Sequence, residues 1–119
     1  ARSETAAEKS IFADGMAHRR CAIPAAHYFE LQKTETGKTK YAIAPKESKW
    51  MLLAGIYRFE SNTPVFTILT RAPSEDIAMI HDRMPVILPQ EVLSDWLNPR
   101  YQEAEIMSAA LTCMAYQPC

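Results

Sequence analysis

The sequence contains few glycines and no long apolar run, and both shortages exclude whole classes of protein. Its three glycines, Gly15, Gly37 and Gly55, are too scattered for a phosphate loop of the GxGxxG or Walker type. The GxSxG turn of serine hydrolases is also missing. No apolar segment approaches the roughly 18 residues that a membrane-spanning helix needs. Nucleotide-dependent chemistry, serine-hydrolase chemistry and a membrane partner are therefore not expected.

Cysteine is scarce as well, and its spacing does not indicate a metal site. The three cysteines form no CxxC pair, and the three histidines show no HxH or HxxxH spacing. An odd number of cysteines without a disulfide pattern is typical of reduced thiols in a cytoplasmic protein. The start of the chain also lacks the basic and apolar segments of a secretory signal. We therefore expect a cytoplasmic protein that needs neither a metal nor another cofactor.

The composition is that of an ordinary globular domain. The chain has 119 residues, of which 48% are apolar and 23% charged, so it can bury a core and is too apolar to be disordered. The first residue is Ala1 rather than Met, and residues 1–10 are rich in helix-forming Ala, Glu and Lys. Because a domain seldom begins inside a helix, we expect that an N-terminal part of this domain precedes Ala1.

Charge is divided unevenly along the chain, although the net charge is only −1. Residues 1–73 contain 11 Lys and Arg against 7 Asp and Glu, whereas residues 74–119 contain 2 against 7. The basic half can form an anion-binding surface, or its charges can simply be solvated. Among the arginines of this half, whose planar guanidinium suits bidentate contact with phosphate, the candidates are Arg2, Arg19, Arg20 and Arg71. The alternative for these arginines is ion pairing with nearby carboxylates.

Apolar patterning predicts an α+β fold, with an antiparallel or mixed sheet folded on itself and short helices at its edges. Aromatic and β-branched runs predict strands, with turns near Gly37 and at 61–64. The predicted strands are 21–23, 28–31, 41–43, 50–57, 65–70, 86–88 and 115–116. The predicted helices are 1–10, 74–82, 90–97 and 101–111.

Two titratable side chains lie in contexts that favour proton transfer. Glu30 is placed between large apolar residues on a predicted strand, which is typical of a general acid or base if the carboxylate is partly buried. An edge strand that points Glu30 to water is the alternative. His81 follows a predicted helix and precedes Asp82, Arg83 and a proline, and can line a pocket or make a structural hydrogen bond. Asp82 and Arg83 can pair with each other, or Arg83 can hold a phosphate.

Several segments together resemble one family, the SRAP (SOS response-associated peptidase) family. They are Ala1–Thr5, Arg19–Ala25, Tyr28–Glu30, Ala54–Tyr57, Phe66–Thr70 and Ile80–Leu88. The Arg-Cys-Ala-Ile-Pro-Ala and His-Asp-Arg-Met-Pro motifs are specific in combination, and the resemblance extends from Ala1 to about Leu97. It implies a β-rich α+β domain, of which residues 1–119 would be the C-terminal part.

The resemblance also implies a function. SRAP proteins bind single-stranded DNA and crosslink covalently to abasic sites through an N-terminal cysteine, which removal of the initiator Met exposes by self-cleavage. The amine and thiol of that cysteine close a thiazolidine ring on the sugar aldehyde. Single-stranded DNA with abasic sites is thus the expected partner, and a monomer is the expected state. A non-catalytic single-stranded DNA-binding module is the alternative function, and an α+β domain of another role is a third.

Five residues match functional positions of the family. Glu30 and His81 match the catalytic glutamate and histidine: Glu30 would handle protons in self-cleavage and imine formation, and His81 would protonate the sugar oxygen. Arg2 and Arg83 match residues that hold DNA phosphates, and Thr70 falls near the same pocket.

The chain also departs from the family pattern. The catalytic cysteine and an active-site asparagine would both lie before Ala1, and Leu31 stands where the family usually has a tryptophan. We therefore expect that this chain alone does not form the crosslink.

Overall fold

The chain folds into nine strands and a few short helices in the part that the structure describes. The structure is a computed structural model, which describes residues 1–102 and 104–119 with their side chains and Glu103 by its backbone. The helices and strands are α1 Ser10–His18, β1 Arg20–Ala25, β2 Tyr28–Thr34, β3 Gly37–Pro45, β4 Met51–Glu60, β5 Thr63–Ile68, β6 Thr70–Arg71, β7 Met84–Pro85, β8 Ile87–Leu88, a 3-10 turn Gln90–Val92, α2 Leu93–Leu97, α3 Glu103–Ala109 and β9 Met114–Pro118. None of the described helices is both long and apolar enough to cross a membrane.

Strand β4 lies at the centre of the first sheet, and its apolar run is buried on both faces of that sheet. It pairs antiparallel with β1, β5 and β8. Residues 51–56 are all buried, as expected for a strand covered on two sides. Ser61 and Asn62 close the β4–β5 hairpin with positive φ angles of 48° and 67°, the geometry of a tight hairpin turn.

The close packing of the two neighbouring strands against β4 requires a glycine in β4. A Cβ atom at Gly55 would lie 2.6 Å from Cδ1 of Ile23 and 3.1 Å from the carbonyl oxygen of Thr67. Those two residues belong to the strands on either side of β4. Gly55 therefore lets both neighbours pack against the central strand without a steric clash.

The second sheet has the order β2-β3-β9, so β2 is an edge strand. The side chains of β2 alternate: Tyr28, Glu30 and Gln32 are half-buried, whereas Phe29 and Leu31 are exposed. Glu30 lies opposite Tyr41 of β3 in the register of the two strands. The alternation therefore places Glu30 on the inner side of an open edge.

Apolar side chains form two cores, one on each face of the first sheet. On one face, α1, α2 and α3 cover β4 through a cluster centred on Trp96, which is 1% exposed. The indole Nε1 donates a hydrogen bond of 2.8 Å to the carbonyl of Cys21 in β1. On the other face, the second sheet packs through Ile43 and Met114, both almost completely buried.

The predicted α+β class, with antiparallel sheets and short helices, is confirmed, but two predicted helices are wrong. Residues 3–8 form turns and helix α1 begins only at Ser10, because Arg2 bridges to Thr70 and the Ser3 N–H donates to the Thr70 carbonyl. Residues 74–82 form turns as well. The Asp76 carboxylate accepts from the backbone N–H of Met114 at 3.0 Å and does not cap a helix.

Candidate active site

A cleft of about 650 Å³ opens between the free edge of β2 and the turn that precedes β7. Glu30 and Gln32 line it from the strand, and His81 and Asp82 line it from the turn. The Gln32 side-chain amide donates to the carbonyl of Met79 at 2.9 Å, which ties the turn to the strand. One wall of the cleft is therefore the strand β2 and the other is the turn before β7, and titratable side chains of the two walls face each other.

Glu30 and His81 lie together in this cleft. The Glu30 Oε2 atom is 3.7 Å from His81 Nδ1, and the two side chains are 31% and 39% exposed. This distance is short enough for electrostatic interaction, and a small movement of either side chain would bring the two atoms within hydrogen-bonding distance. The two residues predicted as catalytic are therefore neighbours that a substrate can reach.

The Nδ1 atom of His81 has a hydrogen-bond partner in either tautomer. The backbone N–H of Arg83 donates to it at 3.2 Å when Nδ1 accepts, and the Arg83 carbonyl lies 3.3 Å away for the form in which Nδ1 donates. The Asp82 carboxylate is also 3.4 Å from Nδ1, although that side chain is 92% exposed. The imidazole therefore keeps its orientation whether Nδ1 donates or accepts.

Arg83 is the centre of a second cluster, beside the first. Its two terminal nitrogens donate to the two Glu4 carboxylate oxygens at 2.8 Å each, a bidentate pair. Its guanidinium also donates to the Thr70 hydroxyl at 3.2 Å and to the Thr70 carbonyl at 2.8 Å. The Arg83 side chain is 18% exposed, so Glu4 now occupies much of the hydrogen-bonding capacity that a phosphate would use.

Residues 1–3 run alongside Thr70 and bring Arg2 to the same cluster. The Thr70 N–H donates to the Ala1 carbonyl at 2.7 Å, and Arg2 and Thr70 form a parallel bridge. The Arg2 side chain is 67% exposed and lies 3.8 Å from Glu4, a weak contact that leaves its guanidinium in solvent.

The structure thus brings together all five predicted site residues in two adjoining clusters, joined by the short segment from His81 to Arg83. Glu4 was missed, since nothing in the spacing connects it with Arg83. Of the partners considered for Arg83, the hydrogen-bonded ion pair is made with Glu4, and Asp82 contributes a weaker electrostatic interaction. The basic pair Arg19–Arg20 has structural partners: Arg19 donates to the Tyr57 carbonyl, and Arg20 donates to the carbonyls of Met16 and Trp96.

Among the residues with described side chains, no group of three His, Cys, Asp or Glu is arranged to hold a metal ion. The three cysteines all lie outside the cleft lining.

The Glu4–Arg83 pair predicts a pH dependence of stability. The hydrogen bonds from Arg83 lower the pKa of Glu4 to about 2, from an ordinary value of 4.5. A lowered folded-state pKa stabilises the fold above the unfolded value, and the contribution is lost as pH falls from about 4.5 through 2. Because the Glu4 side chain is 48% exposed, we expect about 1 kcal/mol rather than the full electrostatic value.

Urea unfolding of the protein and of Glu4→Gln tests this. The variant should be less stable by about 1 kcal/mol at neutral pH, and the difference should shrink as the pH approaches 3. Glu8→Gln removes an exposed carboxylate nearby and should show no such trend. A difference that stays constant with pH would contradict the assignment.

Comparison with known proteins establishes the family. Residues 1–117 match the protein family described as SOS response associated peptidase, SRAP. The chain belongs to the SRAP family. The resemblance predicted from the motifs is confirmed.

Two curated relatives are 38% and 31% identical to this chain over the aligned positions. The abasic site processing protein YoqW of Bacillus subtilis is 38% identical over 119 aligned positions, covering 93% of this chain and 52% of the relative. The abasic site processing protein HMCES of Gallus gallus is 31% identical, covering 82% of this chain and 37% of the relative. The chain thus spans about half the length of the Bacillus relatives it matches.

A solved structure has the same fold. A protein from Bacteroides thetaiotaomicron is 31% identical, with a TM-score of 0.85 over 99% of this chain and 56% of that protein. The β-rich arrangement of this SRAP chain is therefore the fold of a known structure.

Proposed function

We propose that this chain contains the DNA-binding and proton-transferring residues of a protein that captures abasic sites in single-stranded DNA. The observation that carries the proposal is the 3.7 Å approach of Glu30 to His81 in an open cleft, next to two arginines of the same site. Family membership and the names of the curated relatives, which are abasic site processing proteins, support it.

The arginines supply the contact with DNA in this proposal. Arg2 lies exposed at the rim of the site, where its guanidinium is available to a phosphate. Arg83 lies deeper and is paired with Glu4, so a phosphate that reaches it exchanges one anionic partner for another. Thr70 orients Arg83 through its hydroxyl and carbonyl oxygens, and so acts through the arginine.

The covalent step in this proposal uses an N-terminal cysteine outside this chain. Its amine attacks the aldehyde carbon of the opened sugar and, with loss of one water, gives an imine. Its thiol then adds across the C=N bond to close the thiazolidine ring, sulfur bonding to carbon and the proton ending on nitrogen. In this scheme His81 protonates the sugar ring oxygen as the ring opens, and Glu30 takes and returns protons at the amine.

The same pair would serve the proposed self-cleavage. Removal of the initiator Met is hydrolysis of one peptide bond, which needs a base for water and an acid for the leaving amine. Glu30 and His81, facing one another across the cleft, offer one group for each task.

A gel experiment tests the proposal. The full-length gene product and the 119-residue chain are each mixed with a single-stranded oligonucleotide that carries one abasic site, and both mixtures are run on a denaturing gel. We expect a retarded band with the full-length product alone, since none of the cysteines in this chain lines the described cleft.

Two outcomes would contradict the proposal. A stable adduct with the 119-residue chain would show that the nucleophile lies inside it. No adduct with the full-length product, combined with retained binding on a native gel, would leave a single-stranded DNA-binding module without this covalent chemistry.

A further inference from the structure

The outward face of the second sheet carries a row of lysines beside an exposed aromatic ring. Strand alternation and the register of β2 with β3 place the same-facing residues together, and we call them the lysine face. Its members are Phe29, Leu31, Lys33, Lys38, Lys40, Ala42 and Ala44. Lys33 lies directly opposite Lys38, and Leu31 opposite Lys40. Three of the 11 basic residues in positions 1–73 therefore lie together on one surface.

Phe29 is held in place but not covered. The Lys40 ammonium lies 4.4 Å from the ring centroid, and the His27 ring meets it edge-on with centroids 4.9 Å apart. Nearly half of Phe29, 48%, is still exposed. Beside it lies a trough of about 440 Å³ whose floor includes Ala42 and Ala44. Small floor residues next to a fixed ring leave space for a flat group to stack.

The charge of this face selects an anionic occupant. The outward positions of β2 and β3 within the described residues carry lysines and no carboxylate, since Glu30 points to the other side. The three lysines lie close together on two paired strands, and their like charges repel one another. An anion bound between them would relieve that repulsion. Lysines beside an exposed aromatic ring match the backbone and bases of a single nucleic-acid strand.

The lysine face is continuous with the candidate active site. Leu31, Lys33 and Lys38 line the cleft of Glu30 and His81 as well as belonging to the face. A DNA strand that leaves the cleft across the free edge of β2 reaches these lysines before it reaches the rest of the second sheet.

We propose that the lysine face binds the stretch of single-stranded DNA that continues beyond the abasic nucleotide, with phosphates on Lys38 and Lys40 and a base stacked on Phe29. The inference rests on the proposed function, because it extends the DNA path from the cleft. It predicts that the site recognises a strand of several nucleotides and not the lesion alone.

Binding of two oligonucleotides of different length tests the lysine face. Each carries an unreactive abasic analogue, one of about 5 nucleotides and one of about 20, and binding is followed by fluorescence anisotropy. The double variant Lys38→Gln, Lys40→Gln should bind the long strand roughly tenfold more weakly, and its salt slope should fall by about 1.4, which is about 0.7 for each lost phosphate contact. Binding of the short strand should weaken much less, because Lys40 lies outside the cleft lining and only Lys38 borders it.

The aromatic contact has its own variants. Phe29→Leu should weaken binding of the long strand roughly tenfold, because a base loses its stacking partner. Phe29→Tyr keeps the ring and should bind as the unchanged protein does. This pair separates stacking from general effects of substitution at position 29.

The control for charge removes two positive charges elsewhere. Lys9→Gln combined with Arg100→Gln alters exposed residues outside the lysine face and should leave both affinities unchanged. The inference is overturned if the lysine-face variants bind the long strand with unchanged affinity and salt slope, or if both lengths weaken equally. Failure of the short strand to bind any of these proteins would instead contradict the proposed function.

Discussion

Replacing Glu30 by Gln in the full-length protein should slow covalent capture of an abasic site by roughly a hundredfold, the size of effect typical for a general acid or base. Gln preserves the volume and one hydrogen-bonding oxygen, but it does not accept or return a proton. The Glu30 carboxylate is 31% exposed and 3.7 Å from His81, so it is reachable and has a proton-transfer neighbour. The rate of adduct formation on a denaturing gel measures the effect.

The control for this experiment is Glu8→Gln, which removes an exposed carboxylate from the turn before α1 and should react at the rate of the unchanged protein. Binding to an unreactive abasic analogue is measured in parallel, since a catalytic role of Glu30 leaves noncovalent affinity nearly unchanged. A Glu30→Gln protein that forms the adduct at the normal rate would exclude Glu30 from proton transfer.

Replacing Trp96 by Ala should lower the free energy of unfolding by about 3–5 kcal/mol. The indole is 1% exposed, fills the core between the helices and β4, and satisfies the Cys21 carbonyl of β1. The Arg20 guanidinium also lies over the ring, 4.7 Å from its centroid, and loses that contact. Equilibrium unfolding in urea measures the change.

Trp50 provides a matched comparison, because it is 49% exposed and lies just before β4. Trp50→Ala should cost less than about 1 kcal/mol. Trp96→Phe should fall between the two, since the ring volume is largely kept while the Cys21 carbonyl loses its donor. Equal losses for Trp50→Ala and Trp96→Ala would show that the Trp96 cluster does not stabilise the fold.

The strands were predictable from the sequence where apolar patterning was strong. The run at 50–57 lies on β4 from Met51 onward, and the alternation at 65–70 lies on β5 as far as Ile68, with Thr70 already in β6. Strands β4 and β5 pair with each other. Helices at residues 1–10 and 74–82 were predicted wrongly because hydrogen bonds to residues distant in sequence outweigh the local helix propensity. The backbone of residues 1–3 pairs with Thr70, and Asp76 binds the backbone of Met114.

The candidate site was predictable only in part. The large apolar neighbours of Glu30 on a predicted strand suggested that it could be partly buried, but its assignment to one active site with His81 came from the family resemblance, since residues so far apart have no spacing signal. The pairing of Glu4 with Arg83 was not foreseen for the same reason. Side chains that meet through tertiary structure leave no periodic pattern in the sequence.

The contacts that close the site are among the longest-range in the chain. Glu4 and Arg83 are separated by 79 positions, and the Ala1 and Ile68 backbones by 67, whereas β2–β3 and β4–β5 are hairpins with short turns. Closing a long loop costs more entropy than closing a hairpin, so the hairpins should form early in folding and the site late. In the folded protein the same order runs in reverse: the contacts between Glu4 and Arg83 can open locally while the two larger sheets stay paired. Such an opening would free the Arg83 guanidinium for another anion and would break the Glu4 pair alone.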